Sequence, residues 1–566
     1  MIGLEKKRFV HLLPFIFLAI IYAIGLFVDV MDVDSAQYAS MAREMLQTKS
    51  FLAPTDGYGA YLDKPPLLFW LSSLSFYIFG ISNFAFKLPS LAFAMLGIYS
   101  TYKLSKLYYS FAISYIAALV FASCQAFFLF TNDVRTDAML TGSVIFAIWH
   151  IAAYLKTDKY LHFFAGFAGI AFAMMAKGPI GMVIPMFAFA VDFAMKRQWH
   201  LFFKWQWVIG LVFVLILLSP MLYGLYTEFD LHPEKIVNGK NHVSGIKFFF
   251  WTQSFGRITG ESAWQNDSSP LFFFHSIAWA FLPWTVLLFG GIVRQLRWAF
   301  KNKFRLSATE EGLSIGAFVL GFIALSLSHY KLPHYIFVVL PFAAIITARF
   351  VMDFTLFTKR QVNWLYGIQM AILLILWGLA VFISTFVFPC HDVIIILIST
   401  IVQIICIFVF INDAYIVEKM VAISVITMFG VNFITNSFIY PELLNYEADA
   451  TIGRWVDDHK IPENKFFAYQ DLPHSLNFYS RRIVPILWNP GNIDSCMQRN
   501  TEIWIAIDKE KLDEIENHYH VIIPYKVILE QPDYPVSLLT FKFIKPKTRA
   551  SVLHIKCLIE VDKEVK

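Results

Sequence analysis

The sequence predicts an α-helical polytopic membrane protein of about thirteen transmembrane helices, followed by a soluble α/β domain on the extracytoplasmic side. Three observations predict it. Hydrophobic residues make up 58% of the 566-residue chain and charged residues only 15%, and a soluble protein of this length has no use for so much apolar surface. The apolar residues gather in runs close to the roughly 20 needed to cross a bilayer as a helix. Lys and Arg fall mainly in alternate connections, as they do when every second loop faces the cytoplasm.

The expected spans are 12–32, 88–106, 111–131, 138–155, 161–176, 178–194, 207–225, 271–291, 312–328, 334–350, 362–388, 393–412 and 417–439. The first begins like a signal peptide, "MIGLEKKRFVHLLPFIFLAIIYAIGLF", but its apolar core is too long and no small-residue cleavage site follows, so it reads as a retained span. Residues 66–80, "PLLFWLSSLSFYIFG", are short, begin at Pro65-Pro66 and end at Gly80, which suits a helix lying at the interface. Counting them as a span would put "RQLRWAFKNKFR" (294–305) outside. With the N-terminus in the cytoplasm, that stretch falls inside with "KLSK" (103–106), "KTDK" (156–159), "KRQWHLFFK" (196–204) and "TKR" (358–360). The outer side receives two long loops, 33–87 and 226–270. A transmembrane domain over 1–440 thus precedes a 441–566 domain of mixed texture. There "ADATIGRWVDDH" and "KEKLDEIENH" read as helices, and "KFFAYQ", "EIWIAI", "HVIIPYKVILE" and "VSLLTFKFI" as strands. This domain suits either acceptor binding or structural capping.

Composition also excludes classes. A net charge of +5, dispersed in short clusters, is not a nucleic-acid-binding face. The five cysteines show no CxxC spacing, so neither a zinc site nor a redox pair is indicated; Cys496 and Cys557 are placed to pair if their domain is extracytoplasmic.

Ionisable residues outside the basic loops collect on the outer face: Asp32 and Asp34, then "YLDKPP" (61–66), "NDVRTD" (132–137), "KGP" (177–179), His242, Arg257 and Glu261, and "SHYKLPHY" (328–335). Charges at membrane depth are expensive and pair with one another or with a substrate. Cations can hold a leaving phosphate while a carboxylate takes the proton of an incoming hydroxyl. Each residue also has a plainer reading. Asp34 with Gln37 suits a helix capping box, Lys64 an interfacial lysine with its head in water, and Asp137 an ion pair with Arg135.

The ordered pieces Asp34-Ser35-Ala36-Gln37-Tyr38, Arg43-Glu44-Met45, Tyr61-Leu62-Asp63-Lys64-Pro65, Lys87-Leu88-Pro89-Ser90, Lys177-Gly178-Pro179 and Lys331-Leu332-Pro333-His334-Tyr335 resemble the membrane glycosyltransferases of the GT-C fold. Within these they are similar to the bacterial branch that includes the aminoarabinose transferases acting on lipid A and relatives of the protein O-mannosyltransferases. The resemblance implies a polyprenyl-phosphate sugar as donor and a lipid, glycan or protein acceptor at the outer face of the cytoplasmic membrane. It implies catalytic carboxylates at Asp34 and Asp137, and phosphate contacts at Lys64, Lys177 and Tyr335; Tyr61, Asp63 and Lys331 lie in the same motifs, and Arg257 is the strongest cation of the second long loop. Ser35 stands where many relatives carry a second acid, with Asp32 the nearest substitute, and Lys87 stands where Arg is usual. No cofactor is implied, and the carboxylates near Asp34 leave room for a divalent ion without calling for one. The rival reading is a secondary transporter or lipid flippase. That class often shows internal repeats and midplane acids, neither of which the sequence displays.

Overall fold

The computed structural model describes residues 11–237, 239–261, 266, 268–512 and 525–562. Among these, eight helices are long and apolar enough to cross a membrane: Asn83–Tyr108, Asp137–Thr157, Tyr160–Lys177, Gln206–Asp230, Pro333–Leu356, Lys359–Val387, Val393–Ile411 and Ile416–Leu444. The chain is a multi-pass membrane protein. A ninth span forms if Phe111–Ala122 and Gln125–Asn132, bent 51° against each other, act as one. The bend has a local cause. The Ser123 hydroxyl donates back to Leu119 O at 2.6 Å and accepts the Trp284 indole N–H at 3.0 Å, fixing the break between bundle helices.

The remaining expected spans are shorter helices. Leu13–Gly25 has 13 residues, about 20 Å at the α-helical rise, after which the chain leaves the helix and runs into the segment that carries Asp32 and Asp34. Ile180–Lys196, of 17 residues, and Leu313–Ser326, of 14, are likewise shorter than a full span. Expected span 271–291 is divided into Phe272–Ala280 and Thr285–Lys301, because Pro283 offers no amide hydrogen to continue the ladder. The 66–80 segment forms helix Leu67–Phe79, which packs between Asp34–Thr48 and Asn83–Tyr108. Its Ser73 hydroxyl donates to Ala42 O at 2.6 Å.

Helix Asp34–Thr48 is buried along most of its length, including Arg43 and Glu44. It starts without a side-chain cap, Gln37 N donating to Val33 O, so the expected capping box does not form.

Beyond residue 440 a five-stranded sheet has order β2-β1-β3-β5-β4, with β1 Phe466–Tyr469, β2 Ile486–Leu487, β3 Glu502–Asp508, β4 Tyr525–Asp533 and β5 His554–Asp562. Strand β1 pairs in parallel with β2 and β3, and β5 is antiparallel to β3 and β4. The expected helix 509–518 and the start of the strand after it lie largely outside the described residues. The expected strand "VSLLTFKFI" is instead two helical turns, Val536–Leu538 and Phe541–Ile544. Thr540 caps the second by accepting from Phe543 N, and only Phe543 of that turn is buried, while Phe541 is exposed. Cys496 and Cys557 form no disulfide with each other; Cys557 lies on β5 and is buried in the core of the sheet domain.

The sheet domain grips the bundle through its short helix His474–Tyr479. Ser40 Oγ donates to His474 O (2.9 Å), Arg43 Nη1 to Asn477 O (2.6 Å), and Val30 N to the Tyr479 hydroxyl (2.8 Å). The element that begins with Asp34 is thus held from the side of the sheet domain.

Candidate active site

Asp34 opens its helix beside the turn 133–136, and Arg135 Nη1 pairs with its Oδ2. Arg135 also holds Asp133 through Nε at 2.8 Å. Burial opposes the Arg135 charge, but Asp133 and Asp34 outweigh it and raise its pKa. The Asp34 side chain keeps 39% of its surface exposed, against 4% for Asp137, so only the first is open to an incoming group.

Asp137 starts helix Asp137–Thr157 and points into the bundle, where Lys177 Nζ meets its Oδ1 at 2.6 Å and His334 Nε2 lies 3.9 Å from Oδ2. The expected pair with Arg135 is therefore not made; Arg135 turns to Asp34 and Asp133 instead. Lys177 ends helix Tyr160–Lys177, and Gly178 follows with φ +83°, a conformation a Cβ would strain. That tight Lys-Gly-Pro link leaves the ammonium at the bundle edge, 3.9 Å above the centre of the Tyr335 ring. The Tyr335 hydroxyl accepts from Arg257 Nη1 at 2.8 Å, and the guanidinium also lies 5.2 Å from the Tyr330 ring.

Lys64, Lys177, Arg257 and Tyr335 line one cavity of about 170 Å³, otherwise walled largely by apolar residues such as Ile180, Val183 and Val338. Lys64 makes no hydrogen bond or ion pair among the described residues, and Arg257 Nε is buried without an acceptor among them. Burial pushes the Lys64 ammonium below the usual lysine value. Arg257 pushes the same way, while Asp63, Asp34 and Asp137 favour its charge. These groups from distant parts of the chain thus act on one ammonium.

The other expected residues stand around this centre. Tyr61 is buried and edge-on to Phe69, and a hydrogen bond joins its hydroxyl to Tyr38. It lines a smaller gap of about 20 Å³ on the other side of Lys64. Asp63 sits beside Lys64 and supports its charge. Lys331 is turned away, its ammonium donating to Ser268 O at 3.1 Å while Asn266 brackets its backbone. Asp32 does not join Asp34. Its carboxylate accepts from Ser475 Oγ at 3.0 Å, and its N–H donates to Glu447. Lys87 is fully buried, its ammonium donating to Gly25 O and Asp29 O at 3.2 Å each, so it braces the turn that follows the first helix. Sequence reasoning missed the role of Arg135 as the Asp34 partner, and it passed over His334 and Tyr330. Their only signal was their place inside motifs already singled out. Among the described residues no group of three or more His, Cys, Asp or Glu is arranged to hold a metal ion.

A family model described as dolichyl-phosphate-mannose-protein mannosyltransferase matches residues 63–223. An undecaprenyl phosphate-alpha-4-amino-4-deoxy-L-arabinose arabinosyl transferase 2 of Proteus mirabilis is 25% identical over 325 residues, 56% of this chain and 55% of its own length. The corresponding transferase of Yersinia pestis is 24% identical over 364 residues, 61% of each chain. The chain therefore spans between half and two thirds of the length of these curated relatives. In three dimensions the likeness extends further: ArnT from Cupriavidus metallidurans bound to undecaprenyl phosphate superimposes with TM-score 0.74 at 15% identity, covering 98% of both chains. In sequence the chain resembles the aminoarabinose transferases, and it has the GT-C fold.

Proposed function

We propose that this chain is a glycosyltransferase that moves a sugar from a polyprenyl phosphate to an acceptor at the outer face of the cytoplasmic membrane, inverting the anomeric centre in one displacement. The observation that carries the reading is the pairing of an unneutralised cation set with an accessible carboxylate. Lys64 and Arg257 Nε, both without acceptors among the described residues, stand with Lys177 around one cavity, while Asp34 lies within electrostatic reach of Lys64. A sugar phosphate supplies the missing acceptors, and its prenyl chain suits the apolar wall. The solved structure of ArnT bound to undecaprenyl phosphate and the names of the undecaprenyl phosphate-aminoarabinose arabinosyl transferases support the same donor class.

In this reading Lys64 and Arg257 hold the phosphate as the glycosidic C–O bond breaks and negative charge grows on the leaving oxygen. Lys177 is positioned by Asp137 and by the Tyr335 face. Asp137 is a positioning residue for Lys177, being nearly enclosed and already paired. Arg135 engages Asp34 at Oδ2, leaving Oδ1 to take the proton of an acceptor hydroxyl as it attacks the anomeric carbon. Where the acceptor is itself an ionised phosphate, no base is needed and Asp34 orients it. The N-terminus would be cytoplasmic and the 441–566 domain extracytoplasmic, bracing the Asp34 helix beside the acceptor. Against a flippase, the charged groups lie at one end of the bundle and not along a path through it.

The test is transfer from labelled undecaprenyl-phosphate sugars by the purified protein. Release of undecaprenyl phosphate coupled to glycosylation of one acceptor class supports the reading, whereas donor translocation without cleavage overturns it. The reading assigns the phosphate to protein cations, so transfer is expected to survive EDTA.

A further inference from the structure

Helix Ile180–Lys196 starts at the Lys177-Gly178-Pro179 link and ends 17 residues later, about 25 Å away, among the basic loops. There a second cavity, of about 470 Å³, opens between this helix, Thr285–Lys301 and Leu313–Ser326. Its walls are apolar, with Val191, Met195, Leu296 and Val319 facing inward. The 302–306 loop folds over it and is pinned by Leu306 N donating to Met195 O at 3.0 Å.

Four polar or charged side chains, Arg197, Gln295, Glu311 and Arg349, interrupt that lining. Arg197, just past the helix end with φ +59°, stands exposed at the rim and has no ion pair among the described residues. Its neighbour Lys196 is already paired with Asp192 at 3.0 Å. Arg349 reaches the cavity from helix Leu340–Met352, its guanidinium 5.8 Å from the Tyr109 ring. The Gln295 side-chain oxygen is buried with no donor among the described residues. Glu311 also borders the space, but its carboxylate is satisfied by the Tyr109 hydroxyl and Ser314 N, both at 2.7 Å.

We propose that this cavity binds an anionic glycerophospholipid of the cytoplasmic leaflet, with its phosphate at Arg197 and one acyl chain between the three helices. The volume lies within the range of about 300–1,000 Å³ found for small-ligand sites, and the walls are too apolar for a soluble anion. A guanidinium without a carboxylate partner matches a phosphate in both charge and geometry, and basic openings between helices on the cytoplasmic side are where anionic headgroups settle. Gln295 calls for a hydrogen-bond donor, which the headgroup hydroxyls of phosphatidylglycerol supply. The leaflet rests on the distribution of Lys and Arg in the loops; the transfer reaction does not enter, so the two proposals fail independently.

The experiment is thermal unfolding and native mass spectrometry of the full chain in detergent, with phosphatidylglycerol, phosphatidylcholine or inorganic phosphate added. Phosphatidylglycerol is expected to raise Tm and to survive as an adduct, whereas the other two do neither. Arg197→Gln, a surface change, should weaken the phosphatidylglycerol adduct about fivefold, the loss of one cation at a charged membrane surface. Val319→Trp should block it by filling the chain channel while leaving Arg197 in place. Equal stabilisation by phosphatidylcholine, stabilisation by phosphate alone, or full retention of the adduct in Arg197→Gln overturns the proposal.

Discussion

Two clusters of charge lie on either side of helix Asp34–Thr48, and they are balanced in opposite ways. At the cavity, Lys64, Lys177 and Arg257 stand with the enclosed carboxylate of Asp137 and with Asp63 beside Lys64, and two of the three cations retain unsatisfied donors among the described residues. At the seam with the sheet domain, Asp32, Glu447, Asp449, Asp471 and Asp533 gather near one ammonium, Lys556, which reaches Asp449 at 2.7 Å and Asp471 at 2.6 Å. The seam carboxylates lean on donors from the protein itself: Ser475 Oγ for Asp32, Asp32 N for Glu447, Ala448 N for Asp533. A charge cluster completed by its own chain is architecture. One left open beside a cavity awaits a ligand of opposite sign.

The largest expected effect tests the open side. Asp34→Asn keeps the shape of the carboxylate and removes its basicity; transfer to a hydroxyl acceptor should fall about 10²–10⁴-fold while the protein still inserts and unfolds at a near-normal temperature. Normal turnover in this variant would reduce Asp34 to a partner for Arg135. On the closed side, Lys556→Met removes the ammonium that pairs with both Asp449 and Asp471, and stranding buried charge costs about 3–5 kcal/mol, read by thermal unfolding. Activity per folded molecule should change much less than Tm.

A pH titration sharpens the contrast. Burial raises Asp32 to about 7, with Asp449 adding to the shift, and burial raises Asp449 to about 6 despite Lys556. Each carboxyl therefore holds a proton in the fold that the unfolded chain has already released. Their stabilisation is complete below the unfolded values and is lost as pH rises through 6 and 7. Asp471 runs the other way: burial opposes its charge, but Lys556 holds it below the usual range, so its stabilisation is lost on acidification. A Tm that falls from about pH 4 to pH 7 and levels off above is expected, and a flat profile would mean that the seam is open to water.

Between these lies the Asp137–Lys177 pair. Lys177→Met alone should cost both stability and transfer, because Asp137 is left buried without a cation. Adding Asp137→Asn should restore most of the stability and none of the transfer. Recovery of activity in the double variant would show that Lys177 serves only to neutralise Asp137.

How much of this was legible in the sequence follows from the range of the forces involved. The spans were readable because each is a local apolar run, and they went astray where Pro283, the bend at Ser123 or an early helix end intervened. The motif residues were readable as a set, but their partners were not. Arg135 lies two residues from Asp137, yet the helix starting at Asp137 turns that carboxylate inward to Lys177, 40 residues on, and leaves Arg135 to Asp34. Strand β5, "HIKCLIEVD", escaped because Lys556 interrupts its apolar alternation, and only the seam acids explain a buried lysine there. Phe541–Ile544 alternates like a strand but coils, because Thr540 caps it and one buried ring anchors it.

The smallest expected effect tests whether the two clusters communicate through the chain they share. Ser475→Ala removes the hydroxyl that donates to the Asp32 carboxylate, a loss of about 1 kcal/mol, without touching Asp34. Because that hydrogen bond favours the ionised form, its removal should lift the Asp32 pKa further above 7 and move the fall in Tm to higher pH. If the seam only braces the Asp34 helix, the pH dependence of transfer stays where it was while that of Tm shifts. If both move together, the ionisation of Asp32 reaches Asp34 across Val33, the single residue between them, and the sheet domain tunes the base as well as holding it.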